Sequence, residues 1–159
     1  MPTTATPTLD RETVERLSAG FHRCFSDFEA DEDLFASDTF FDMLPPLWRF
    51  QLMAPGDAFT AQLASIAEGP TEIEVIRTVP TAMGFVTEHV ETHHAPDGDI
   101  VARRLHLCEV TDGRISSVTT YCNGGWDEAL RTRHAAEAPM IRPDRRPSTA
   151  QPTAERTVQ

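Results

Sequence analysis

The chain is predicted to be an α+β domain, with helices early and an antiparallel meander after them. Two observations carry this. In the first half the apolar residues recur every three or four positions, as on a helix with one buried face, whereas from Glu72 onward they alternate, as along a strand. Asp-Gly pairs then separate alternating runs at Asp97-Gly98 and Asp112-Gly113, the strongest short-range sign of a hairpin. The 159 residues amount to one domain, long enough to bury about two-thirds of its surface.

The elements follow in order. Val14, Leu17, Phe21, Cys24 or Phe25, and Phe28 mark a first helix, with Asp10 or Thr8 as its cap. The acidic run from Glu29 to Asp33 ends it and leads to a short aromatic strand at Thr39-Phe40-Phe41. Pro45-Pro46 breaks the chain, and Leu47 to Met53 reads as a short helical turn. A second helix runs from Asp57 to Glu68, with Phe59, Leu63 and Ile66 inward, and stops at Gly69-Pro70. Four strands follow: Glu72 to Thr78, Met83 to His94, Asp99 to Val110 and Arg114 to Asn123. A last helix starts near Trp126, capped by Asp127, and runs to about Ala138. The folded unit is thus residues 8–138. The ends, 1–7 and 139–159, are rich in Pro, Thr, Arg and Ala, lack apolar periodicity, and read as disordered.

Composition excludes several chemistries. The chain has no lysine, so Schiff-base and pyridoxal phosphate catalysis are ruled out, as is a lysine-bearing phosphate loop. A net charge of −11 argues against nucleic acid. That charge is uneven: residues 1–130 hold 8 Arg against 22 acids, and residues 131–159 hold 6 Arg against 3. No apolar run has the length of a signal peptide core or a membrane span, so a soluble, cytoplasmic protein is expected. Cys24, Cys108 and Cys122 are too scattered for a disulfide framework or a Cys-x-x-Cys site and read as small apolar residues. His89 and His93, four residues apart on a strand, stand about 13 Å apart, too far to share a metal ion. Neither a metal nor another cofactor is expected.

If both Asp-Gly pairs are the central residues of two-residue turns, register follows by arithmetic. His89 then faces His106, Glu91 faces Arg104, Arg104 lies beside Tyr121, and Ala102 lies beside Asn123. All of these share one face, apolar at the Phe85 end and polar toward Asn123. The opposite face carries Val86, Val90, Leu105, Leu107, Val118 and Cys122, an apolar surface fit for a homodimer. The competing reading puts the polar set in solvent and the apolar face in the core.

The run His106-Leu107-Cys108-Glu109-Val110-Thr111-Asp112-Gly113-Arg114-Ile115, followed by Tyr121-Cys122-Asn123, resembles the SnoaL-like polyketide cyclase branch of the nuclear transport factor 2-like superfamily. The resemblance spans about Leu9 to Glu128. It implies a cone-shaped α+β barrel, helices packed in a curved antiparallel sheet around a deep pocket, and it turns the Asn123 face inward. Cyclases of that branch use an Asp near this position as acid or base; Asn123 orients a carbonyl but moves no proton. The Asp-Arg-Asp set of the family's epoxide hydrolases is also unmatched there. His89, His106 and Tyr121 are therefore the catalytic candidates, with imidazole as acid and base and phenol on a developing enolate. Glu91, Arg104, Asn123 and Trp126 are the substrate-binding candidates. The reading is a cofactor-independent cyclase, isomerase or dehydratase acting on a small hydrophobic carbonyl compound, in bacterial secondary metabolism. The alternatives are a non-catalytic small-molecule-binding or dimerisation module of the same fold, or an epoxide hydrolase.

Overall fold

The structure, a computed structural model, describes residues 9–67 and 69–142. The expected disordered segment 1–7 and residues 143–159 lie outside the described residues. Three helices and six strands run in the order α1 (Arg11–Ser26), β1 (Phe35–Leu44), β2 (Phe50–Ala54), α2 (Gly56–Ile66), β3 (Thr71–Pro80), β4 (Gly84–Ala95), β5 (Gly98–Thr111), β6 (Arg114–Cys122) and α3 (Glu128–Glu137). The strands form one curved, unclosed sheet in the order β2-β1-β6-β5-β4-β3. Its neighbours pair antiparallel except β1 and β6, which run parallel, so the sheet is mixed where an antiparallel one was expected.

The helices form as their sequences dictate. The Asp10 carboxylate accepts from Thr13 N at 2.8 Å and caps α1, whose Val14, Leu17, Phe21, Cys24 and Phe25 are buried. These residues pack with Phe59 and Leu63 of α2 and with Phe35, Phe41, Phe85, Ile115 and Val118 of the sheet as one core. Phe41 stacks on Phe59 with ring centres 4.2 Å apart. Asp127 caps α3 by accepting from Leu130 N at 2.8 Å. None of the residues of α3 is buried, and among the described residues no helix is long and apolar enough to cross a membrane.

Three local expectations change. The aromatic strand is ten residues long, because its Phe35, Phe41 and Met43 all find places in the core. The stretch after Pro45-Pro46 is a strand rather than a helical turn. Leu47 has a φ of 60° there, a left-handed residue that ends helical continuation, and Phe50–Ala54 then return along β1.

Register is the third. In the first hairpin Ala95 pairs with Gly98, which makes Pro96-Asp97 the central pair. Proline is suited to the first central position, and Gly98 takes the positive φ, 122°, just after it. Every partner therefore slides by two: His89 faces Arg104, Thr87 faces His106, and Glu91 faces Ala102. A slide of two leaves each side chain on its expected face. The second turn is as expected, with Asp112 and Gly113 both at positive φ and Val110 opposite Ile115. A bulge then intervenes, and Glu109 faces Ser117. The extra residue is Ser116, whose hydroxyl bonds Glu109 O and the Thr111 hydroxyl. Beyond it the faces of β6 exchange: Val118, Thr120 and Cys122 turn inward and Tyr121 turns outward.

Candidate functional site

The inner face of β4 and β5 carries a buried polar cluster in the middle of an aromatic core. His89 and His106 are fully buried, and Glu91 is 1% exposed. His89 Nε2 lies 3.3 Å from Glu91 Oε1, and His93 Nε2 lies 3.2 Å from Glu91 Oε2. The Arg104 guanidinium approaches the same Oε2 with its Nε at 2.9 Å, an ion pair in which that N–H has no hydrogen-bond acceptor among the described residues. His106 Nδ1 is 2.8 Å from the Thr120 hydroxyl. The imidazoles of His89 and His106 have centres 4.8 Å apart, wedged among Phe21 and Phe25. His22 of α1 completes the group, with its ring 5.5 Å from that of His89 and its Nε2 2.9 Å from the Thr87 hydroxyl.

Electrostatics fixes the charge states. Burial alone would raise the Glu91 pKa. Hydrogen bonds from His89 and His93, together with the Arg104 charge, overturn this and hold the carboxyl well below its usual range. Burial pushes His106 well below the ordinary imidazole value, with the neighbouring His89 and Arg104 adding to the effect. His22 is lowered to about 4, by burial first and His89 second. The site thus holds a carboxylate and a guanidinium beside two imidazoles, His22 and His106, that burial keeps neutral. Burial also pushes the Cys24 thiol up to about 12 and that of Cys108 well above its ordinary value, as suits small core residues.

Two cavities open beside the cluster, at the mouth between α2 and the sheet. One, of 180 Å³, is lined by Phe25, Ile100, Ala102, Glu91, His93 and Arg104 among others. The second, of 320 Å³, is mostly apolar, with Met43, Leu44, Phe50, Leu52 and Phe59 around Thr120 and Arg104. They share Leu63, Ile66, Arg104, Cys122 and Gly125, which makes them adjoining compartments. Arg104, Glu91, His93 and Thr120 line this space, whereas His89 and His106 lie behind them.

Of the seven expected site residues, the fold brings four together: His89, His106, Glu91 and Arg104. It separates three. Tyr121 is 50% exposed on the outer face, carried there by the Ser116 bulge. Asn123 is exposed, its Oδ1 accepting from Arg103 N at 2.7 Å, so it extends the β5–β6 pairing. Trp126 pairs its backbone with Val101 and lays its ring on His134, away from both compartments. His22, His93 and Thr120 were not among the expected residues. Spacing holds a signal for His22, since Ser18, His22 and Phe25 fall on one helix face. His93 shares the parity of His89 and Glu91, so alternation along β4 holds a signal for it. Thr120 was hidden by the bulge. Among the described residues no group of three or more His, Cys, Asp or Glu is placed to hold a metal ion.

No protein-family model matches the chain, and no curated protein does. Solved structures do match it. An NTF2-like protein from Anabaena variabilis aligns with a TM-score of 0.56 at 16% identity over 74% of this chain and 95% of its own. An epoxide hydrolase from M. tuberculosis, of the LEH-like kind, aligns at 0.54 and 17% over 69% and 78%. A protein with a ketosteroid isomerase-like fold from Catenulispora acidiphila, in complex with trimethylamine, aligns at 0.53 and 10% over 67% and 85%. The fold is therefore that of the NTF2-like proteins. A shared fold at this identity carries no activity with it.

Proposed function

We propose that the chain is a cofactor-independent acid–base enzyme, an isomerase, cyclase or dehydratase, acting on a small and largely apolar carbonyl compound. One observation carries this reading: Arg104 lines both compartments of a mostly apolar cavity and is paired, on its hidden side, with a buried Glu91 held by two histidines. A carbonyl oxygen at Arg104 meets N–H donors already in place. As a proton leaves the neighbouring carbon, the growing enolate charge is met by a guanidinium in a water-poor site, a contribution of about 10²–10³-fold in rate. His89 and His106 supply the acid–base capacity, and burial keeps His106 neutral and ready to accept. Tyr121, Asn123 and Trp126 drop out of the mechanism. The SnoaL-like cyclase kinship and a place in secondary metabolism stay part of this proposal. So does a homodimer through the outer face of the sheet, where Leu107, Tyr121 and Val79 are exposed.

The test uses cyclohexanone in D2O, with loss of its α-proton signals followed by NMR. Exchange well above buffer by the intact protein, reduced about 100-fold in Arg104→Gln, is the expected result. Exchange unaffected by that substitution would sink the assignment. A second reading, a binding module that only carries an apolar ligand, is favoured by the zero exposure of both histidines. Its signature is saturable binding of the ketone with no exchange between pH 5 and 9.

A further inference from the structure

The two buried histidines do not line the cavity, yet each touches one group that does: His89 touches Glu91, and His106 touches Thr120. Each also keeps one ring nitrogen, His89 Nδ1 and His106 Nε2, buried with no partner among the described residues. An orphaned buried polar atom is costly, and two on adjoining rings call for a reason. Tautomers supply one. A neutral His89 that donates from Nε2 to the Glu91 carboxylate has a bare Nδ1. A neutral His106 that accepts at Nδ1 from the Thr120 hydroxyl has a hydrogen on Nε2. One orphan is thus a donor and the other an acceptor. Imidazoles joined by an N–H···N bond of about 2.9 Å have centres roughly 5 Å apart, and these two are 4.8 Å apart with planes at 44°. The spacing of the rings is thus that of such a bond.

We propose that Thr120, His106, His89 and Glu91 form one directional hydrogen-bonded relay, and that Thr120 is the group through which it meets the substrate. The inference rests on the acid–base reading above and adds a residue and a path to it. The step balances as follows. The substrate C–H bond breaks and its proton goes to Thr120 Oγ1, while the Thr120 proton passes to His106 Nδ1. The His106 Nε2 proton passes to His89 Nδ1, and the His89 Nε2 proton to Glu91. The C–H electron pair remains on the substrate as an enolate. No imidazolium forms, because each ring gives up one proton as it takes another. The carboxylate that balanced Arg104 is neutralised as the enolate appears, so the guanidinium changes counterion from Glu91 to substrate. Return along the same path places the proton on the other carbon and restores every tautomer.

Other groups stand around these rings: His22 of α1 against His89, Thr87 of β4 bonded to His22 and to Thr78 of β3, and His93 and Arg104 on the Glu91 carboxylate. Among the described residues, His22 is the other imidazole beside His89, and the experiment must separate it from His106.

The test is 15N imidazole NMR of the full chain together with cyclohexanone exchange. The relay requires both His89 and His106 as Nε2–H tautomers. It also requires that Thr120→Val shift the His89 ring nitrogens, one ring removed from the substitution, that Thr120→Ser restore them, and that His22→Phe leave both tautomers in place. Exchange should fall about 100-fold in Thr120→Val and return to within about tenfold in Thr120→Ser. A His106 found as the Nδ1–H tautomer, or His89 nitrogens indifferent to Thr120→Val, overturns the relay, since no donor then bridges the rings. Exchange unchanged in Thr120→Val overturns it too, while leaving the role of Arg104 standing. No exchange by the intact protein overturns the enzyme reading itself, and the relay's catalytic use with it.

Discussion

Glu91 is the residue on which the site turns, because three groups on two strands converge on its carboxylate. Replacing it by Gln keeps the shape but leaves the nearly buried Arg104 without its counterion. Breaking such a pair costs about 3–5 kcal/mol, so Glu91→Gln should lose at least ~2 kcal/mol in urea unfolding, after allowance for the partial exposure of Arg104. The histidines set a pH dependence whose sign follows from their depressed values. Between an ordinary value of 6.5 and the folded value of about 4, unfolded His22 binds a proton that folded His22 refuses. His106 does the same more strongly. Stability is therefore full above pH 6.5 and falls as the pH drops, by up to about 1.4 kcal/mol per unit for each such histidine. Glu91, lowered below its ordinary 4.5, adds a further loss under that value. Urea midpoints measured from pH 7.5 to 4.5 should decline, and His22→Gln should make the decline shallower. A flat profile would mean the imidazoles are solvated.

At the scale of elements, one strand edge and one bulge decide who faces whom. Gly84 opens β4 against β5 so closely that a Cβ would lie 1.9 Å from Cys108 O, with backbone rather than a yielding side chain in the way. Gly84→Ala should therefore cost more than about 2 kcal/mol, read as a fall in thermal midpoint. Near-native stability in that variant would mean β4 and β5 part without cost there. The bulge shows what was legible and what was not. Alternation along β4 and β5 put His89, Glu91, Arg104 and His106 on one face, and a two-residue slide in the turn left that parity intact. On β6 one unpaired residue reversed parity, and Tyr121 exchanged places with Thr120 and Cys122. Nothing in the run Arg114 to Asn123 announces this, because Ser116 is held out by Glu109 and Thr111 of the neighbouring strand.

Over the whole molecule, the same exchange shapes the outer face. It keeps Val86, Val90, Leu105 and Leu107, gives up Val118 and Cys122, and gains Tyr121. Glu88 crosses this face between Arg77 and Arg103, its carboxylate oxygens 2.7 and 2.6 Å from their Nε atoms. An apolar patch ordered around a satisfied charge triad suits association with a second copy. Sedimentation should show a dimer at micromolar concentration that Leu107→Arg together with Tyr121→Arg converts to monomer. A wild-type monomer at every concentration would remove the homodimer from the proposal.

The sequence by itself determined the class of fold, the three helices with the caps of α1 and α3, the places of the two hairpins and the shared face on β4 and β5. These depend on local periods of 3.6 and 2 and on turn residues, all of which are written within a few positions of one another. It also determined the chemistry left out: without lysine, any catalysis here runs on imidazole, carboxylate, guanidinium and hydroxyl. The tertiary structure alone decided that β1 runs parallel to β6, that Thr120 rather than Tyr121 meets the cavity, and that His22 reaches the cluster from α1. The first and last are contacts between residues far apart in the chain, set by how layers pack; the second follows from the Ser116 bulge, held out across the β5–β6 hairpin.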